Sequence, residues 1–192
     1  MEQIKYFLAV VLLFVLCFSL NAQEEENIIK KGLLRTQLTF SPSYLLPQNK
    51  TDFYLYGNLE YYLEDKVSLS GDAYYSFFDT NNTIFDFNHN LFFGVNYHLI
   101  NKKNHDFHIG FQPGIALTRL NAKENNLSNS KMGVNPVFST VIGYNYYVHK
   151  FFHFFIHSRF VYGEHGIDLQ KNISDFRLAA GLGLNINTLK RK

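Results

Sequence analysis

His157 and Ser158 are adjacent in the sequence, with Glu164 beyond them, and bring together a base, a hydroxyl and an acid. That is the raw material of nucleophilic catalysis. In a β-strand, however, neighbouring side chains point to opposite faces. A base and its nucleophile must lie within hydrogen-bond reach, so these two cannot meet if they share a strand. His165, Ser128 and Ser130 are a second set of suitable types, but nothing in their spacing places them together. His149, His153 and His157 share one strand face at intervals of four residues, about 13 Å apart along a strand, too far for one metal ion. His98 and His108 become cross-strand neighbours if the chain turns near Lys103. Two histidines make a thin zinc site, because zinc usually takes at least three protein ligands, and this pair reads as polar lining. The expectation is no metal and no cofactor. The only cysteine, Cys17, lies near the amino terminus, so the rest of the chain has no thiolate site and no disulfide. Four Asn-X-Ser/Thr triplets, beginning at Asn49, Asn81, Asn126 and Asn172, read as coincidences of an Asn-rich chain.

Which side chains can meet depends on the elements that carry them. With 20 Phe, 13 Tyr and only 4 Pro in 192 residues, the composition favours strands. A net charge of +2 argues against a nucleic-acid binder, which needs a clustered basic face. Residues 1–22 read as a signal peptide. Lys5 precedes an apolar stretch from Tyr6 to Leu20, shorter than the roughly 20 residues of a membrane-spanning helix. Ala22 then offers a small residue for cleavage before acidic Glu24, Glu25 and Glu26. Acylation at Cys17 and an uncleaved helical anchor are the alternatives. Residues 23–32 form a short periplasmic segment, 33–188 the folded body, and 189–192 a basic tail.

From residue 33 the chain alternates apolar and polar side chains with period two. Strands are expected at 33–41, 53–63, 66–78, 86–99, 106–118, 134–148, 151–163 and 174–188. Leu34, Thr36, Leu38 and Phe40 oppose Arg35, Gln37, Thr39 and Ser41 in the first. Phe176, Leu178, Leu182 and Leu184 oppose Arg177, Gly181, Gly183 and Asn185 in the last. The sixth and seventh are less regular, with Val137, Val141, Phe151 and Phe155 on the polar side. Polar connections expected to be long follow strands one, three, five and seven, and short ones follow two, four and six. An up-and-down barrel with both termini at one end has this asymmetry.

Three features put the apolar face outside, in lipid. Lysines avoid strand interiors. Gly94, Gly110, Gly114, Gly143 and Gly181 sit mid-strand on the polar side, as a crowded eight-stranded lumen requires. Apolar-side aromatics fall at strand ends: Phe40, Phe53, Phe77, Phe87, Tyr162 and Phe176 at one rim, Tyr61, Tyr97, Tyr146 and Phe152 at the other. The fold class is therefore all-β, an eight-stranded antiparallel up-and-down transmembrane β-barrel preceded by a signal peptide. Its lumen is expected to hold a charge network. Folding the first hairpin sets Arg35 opposite Glu60. Folding the last brings Arg159 beside Arg177, for which Asp72, reaching across, is the candidate acid. The alternative is an anion held by the two arginines.

On this architecture, and on the terminal Gly181-Leu182-Gly183-Leu184-Asn185-Ile186, residues 33–188 resemble the small bacterial outer-membrane barrels of the OmpA/OmpX type. The resemblance implies a location in the outer membrane of a Gram-negative cell, contact with the lipid bilayer and lipopolysaccharide, and insertion by barrel assembly machinery. It implies a non-enzymatic envelope role or binding through the outer loops. It leaves a lipid-A-modifying enzyme or a narrow pore as alternatives. Nothing after the barrel resembles the peptidoglycan-binding domain of longer members, so none is expected.

Overall fold

The structure is a computed structural model, and it describes residues 28–76, 84–123, 125–167 and 170–189. The leader at 1–22, Phe77 and the segment 79–82 lie outside the described residues. Eight strands form one closed sheet: β1 (Leu33–Leu45), β2 (Lys50–Glu64), β3 (Val67–Ser76), β4 (Phe85–Lys102), β5 (His105–Leu120), β6 (Met132–His149), β7 (Phe152–His165) and β8 (Asp175–Asn187). Each pairs antiparallel with its sequence neighbours, and β8 pairs with β1 to close the barrel. Residues Lys171–Asn172 add a two-residue rung against Glu164 and His165 of β7. Closure removes the unpaired edges that an open sheet would present.

Period-two patterning sets the faces. Arg35, Gln37, Ser41 and Ser43 of β1 are buried, while Leu38 is 67% and Phe40 59% exposed. The same inversion runs round the sheet: Leu59, Leu91, Phe93, Phe111, Ile142, Ile156, Leu182 and Leu184 are all exposed and outward. A continuous apolar exterior of this extent is out of place in water and matches the lipid-facing band of a membrane barrel. Phe53, Tyr162 and Phe176 near one rim and Tyr97 near the other are exposed at the strand ends.

Large inward side chains stand opposite glycines. Phe155 faces Gly181, His153 faces Gly183, Phe92 faces Gly114, Val141 faces Gly110, and His108 and His157 flank Gly143. A Cβ on Gly143 would run into the His108 ring, and one on Gly183 into His153. Val137, Val141 and Phe155, which break the alternation of β6 and β7, are buried lumen residues that these glycines accommodate. Phe151 does not join them. It is 58% exposed in the turn before β7.

Strands β1, β2, β4, β5, β6 and β7 also run further than periodicity suggests. The connection after β1, expected to be long, is the four-residue turn 46–49. Ser43 pairs with Asp52, Tyr44 with Thr51 and Leu45 with Lys50 above the expected strand ends. Asn49, at φ 52°, takes the left-handed conformation that Asn tolerates, and the Tyr44 hydroxyl donates to its Oδ1 at 3.0 Å. Asp52 is therefore a buried strand residue at the barrel mouth and not a loop residue.

Candidate functional site

Among the described residues, the lumen concentrates the buried polar chemistry, and β1–β8 each contribute inward side chains to it. At the end where β1 begins and β8 ends, Arg35 and Glu60 are directly opposite in the β1–β2 register and form an ion pair. Arg35 Nη1 also donates to Asp106 Oδ2 and to the Tyr147 hydroxyl, both at 3.0 Å. His98 joins the same cluster. Its Nδ1 lies 2.6 Å from Asp106 Oδ1 and its Nε2 2.9 Å from Ser68 Oγ. Ser68 and Asn96 both donate to Glu60. The Tyr62 hydroxyl donates to Asp106 at 2.8 Å. Every one of these groups is almost fully buried, where an unpaired charge costs several kcal/mol.

Midway along the barrel, Asp72 lies 3.1 Å from Arg159 Nη2. Tyr56, Asn58 and Ser70 donate to the same carboxylate at 2.7–3.0 Å. Arg159 also donates to Gln112 Oε1 at 2.6 Å and to Ser139 Oγ at 2.7 Å. Arg159 and Arg177 do stand opposite each other in the β7–β8 register. The acid expected to serve both does not. Arg177 is held by Asp175, two residues back on the same strand, with Nη2 to Oδ2 at 2.8 Å and Nε to both carboxylate oxygens. Its guanidinium centre lies 4.2 Å from the ring centroid of Tyr54 and 4.5 Å from that of Tyr74.

Asp106 and Asp175 are the acids that reading the sequence passed over. Both lie in the first two residues of their strands, inside the segments expected at 106–118 and 174–188, but neither was assigned to a face. Period two would have found them: Asp175 lies two before inward Arg177, and Asp106 two before inward His108.

His98 and His108 are indeed cross-strand neighbours, with rings 5.4 Å apart, and Asp106 supplies a third group of ligand type. The contact between His98 and Asp106 has hydrogen-bond length at 2.6 Å. Two ligands on one tetrahedral zinc at 2.0–2.1 Å stand about 3.3 Å apart. Arg35 also occupies the other Asp106 oxygen. This arrangement fits a shared proton and not a shared cation. His157 points into the lumen and Ser158 toward lipid, so base and hydroxyl are on opposite sides of the wall. His165 is buried against Thr118 Oγ1 at 2.6 Å, whereas Ser128 is exposed in the loop after β5.

Apolar clusters close both ends of the polar column. Ile29, from the segment before β1, packs with Leu33, Tyr62 and Tyr147 at the terminal end. Phe85, Leu120, Ile173 and Leu127 belong to the cluster under the long loops. A cavity of about 10 Å³ lies among Asn58, Asp72, His157 and Arg159, room for about one water.

A closed antiparallel barrel with an apolar exterior and a charged, filled interior defines a transmembrane β-barrel of the outer-membrane type. No family model matches the chain, and no curated protein matches it. Solved structures do. OprG of Pseudomonas aeruginosa superposes with a TM-score of 0.61 at 12% identity, over 83% of this chain and 98% of that one. Neisserial surface protein A gives 0.59 at 12%, over 79% and 95%. The N-terminal β-barrel domain of Pseudomonas aeruginosa OprF gives 0.55 at 11%, over 82% and 99%. At such identities the likeness is one of fold.

Proposed function

We propose that this chain is a non-enzymatic integral protein of the outer membrane that presents its outer loops to the exterior and does not conduct. The observation that carries this reading is the filled lumen: ion pairs Arg35–Glu60, Arg159–Asp72 and Arg177–Asp175 stacked between two apolar plugs. Conduction needs a continuous water path, and a cavity of about 10 Å³ is not one. Eight strands enclose an interior just wide enough for side chains to fill. Acyl-transfer or hydrolytic chemistry on lipid A would need a base and a nucleophile that a substrate can reach: His157 and Ser158 are on opposite sides of the wall, and Ser68, His98 and Asp106, which do meet, are fully buried in the lumen with Ser68 donating to Glu60. The bilayer covers the outward belt. Lipopolysaccharide meets the outer rim, and assembly machinery reads the terminal strand, whose Leu182, Leu184 and Ile186 project outward. The outer loops, of which 121–131 is the longest, are the surface on offer to a ligand. Two measurements test the proposal. Purified protein in planar bilayers should give no steady conductance, and lipid A from cells with and without the gene should have the same mass spectrum. A stable open channel, or a gene-dependent change in lipid A acylation, contradicts it.

A further inference from the structure

The cavity of about 10 Å³ is shared by two ion-pair clusters. Arg35, Glu60 and Asn96 of the terminal cluster line it, and so do Asn58, Asp72 and Arg159 of the middle one. His157 lines it as well. Three of these side chains each present one buried polar atom with no hydrogen-bond partner among the described residues: Arg35 Nε, Asn58 Oδ1 and His157 Nε2. All three residues are more than nine-tenths buried. Buried polar atoms are nearly always bonded, either to protein or to ordered water.

The rest of each side chain is held fast, so none of the three atoms can turn to a partner elsewhere. Asn58 Nδ2 donates to Ser70 Oγ at 2.8 Å and to Asp72 Oδ1 at 3.0 Å. Turning that amide over would set its oxygen against the Asp72 carboxylate, so Oδ1 stays on the far side. Arg35 Nη1 donates to Asp106 and Tyr147, and Nη2 donates to Glu60. The His157 ring makes a T-shaped contact with Tyr56 at 4.8 Å and stacks on Phe155 at 5.7 Å. That packing fixes the ring without engaging Nε2.

The three atoms differ in what they need. Arg35 Nε only donates, Asn58 Oδ1 only accepts, and His157 Nε2 does either according to its tautomer. A metal ion offers Arg35 no acceptor and meets two guanidinium groups. A halide offers Asn58 Oδ1 no proton and meets the carboxylates of Glu60 and Asp72. Water both donates and accepts, and a cavity of about 10 Å³ takes one molecule. We propose that a single water is bound here, accepting from Arg35 Nε, donating to Asn58 Oδ1 and bonded to His157 Nε2. It joins the Arg35–Glu60 cluster to the Asp72–Arg159 cluster, so that the two form one connected network. This rests on the reading of the lumen as filled.

The test is a high-resolution crystal structure of the detergent-folded protein, from crystals soaked in bromide. The wild type should show one water within about 3.2 Å of all three atoms and no anomalous bromide signal there. His157→Phe keeps the ring packing, removes one bond and sets a ring carbon toward the water, and its cavity should be empty. An empty wild-type cavity, a bromide peak in it, or a water that leaves Arg35 Nε or Asn58 Oδ1 unbonded overturns the proposal. So does a water retained in His157→Phe. If that variant does not refold, the wild-type map decides alone. Failure of the filled-lumen reading looks different: a continuous file of waters from rim to rim.

Discussion

Arg159 and Arg177 face each other across β7 and β8, yet each carries its own carboxylate: Asp72 from across the lumen at 3.1 Å and Asp175 from two residues away at 2.8 Å. Two cations side by side in a confined space are tolerated because each is neutralised separately. Asp72→Asn should therefore lower the folded stability by about 3–5 kcal/mol, the cost of stranding a buried charge, and Asp175→Asn should do the same through Arg177. Glu64→Gln, at an exposed pair with 66% of the acid side chain accessible, should leave stability nearly unchanged. Urea unfolding in lipid vesicles measures all three. An Asp72→Asn barrel as stable as wild type would remove the ion pair from the account.

Glycine content on the inward face is a packing requirement. Gly143→Ala places a methyl group against the ring of His108 and the Cβ of His157, and overpacking of this kind costs about 1–3 kcal/mol. Gly57→Ala, on the outward face, meets only Leu38 Cδ1 at 3.9 Å and should be neutral. The two variants, unfolded side by side, separate a crowded lumen from a roomy one, in which both would be tolerated equally.

Charge on the belt should be costly and charge in the loops cheap. Leu182→Arg, at an outward position 49% exposed to the surroundings, should cost about 2–4 kcal/mol near the bilayer midplane. Asn126 is a poor control for this comparison, because its φ of 54° is a conformation that Asn tolerates better than Arg. Ser128→Arg, exposed in the same loop, is the better one and should be nearly neutral. Equal refolding yields for Leu182→Arg and Ser128→Arg in vesicles would show that the faces are misassigned.

The faces of the strands were legible because alternation is enforced by two solvents, lipid outside and a polar core inside. Arg35 opposite Glu60 followed from hairpin register alone. The long first outer loop was not legible as a turn. Its Asn49-Lys50-Thr51-Asp52 is polar either way, and only the pairing of Leu45 with Lys50 shows that the ladder continues. Asp175 as the partner of Arg177 was hidden for a different reason: it lies within the expected strand 174–188, but Asp72 across the lumen was assigned to both arginines and the inward direction of Asp175 was not drawn. The apolar plugs could not be read either. Ile29 and Ile173 lie outside the alternating segments, and their burial depends on where the chain folds back over the barrel ends.

In this barrel the apolar face meets acyl chains and the polar face is sealed inside. The chain contains no Trp, so a single introduced indole reports its own surroundings. Leu182→Trp, on the outward face of β8, should be strongly quenched by phospholipids brominated on their acyl chains and should ignore aqueous iodide. If iodide quenches it and brominated lipid does not, the belt faces water and the transmembrane account is wrong.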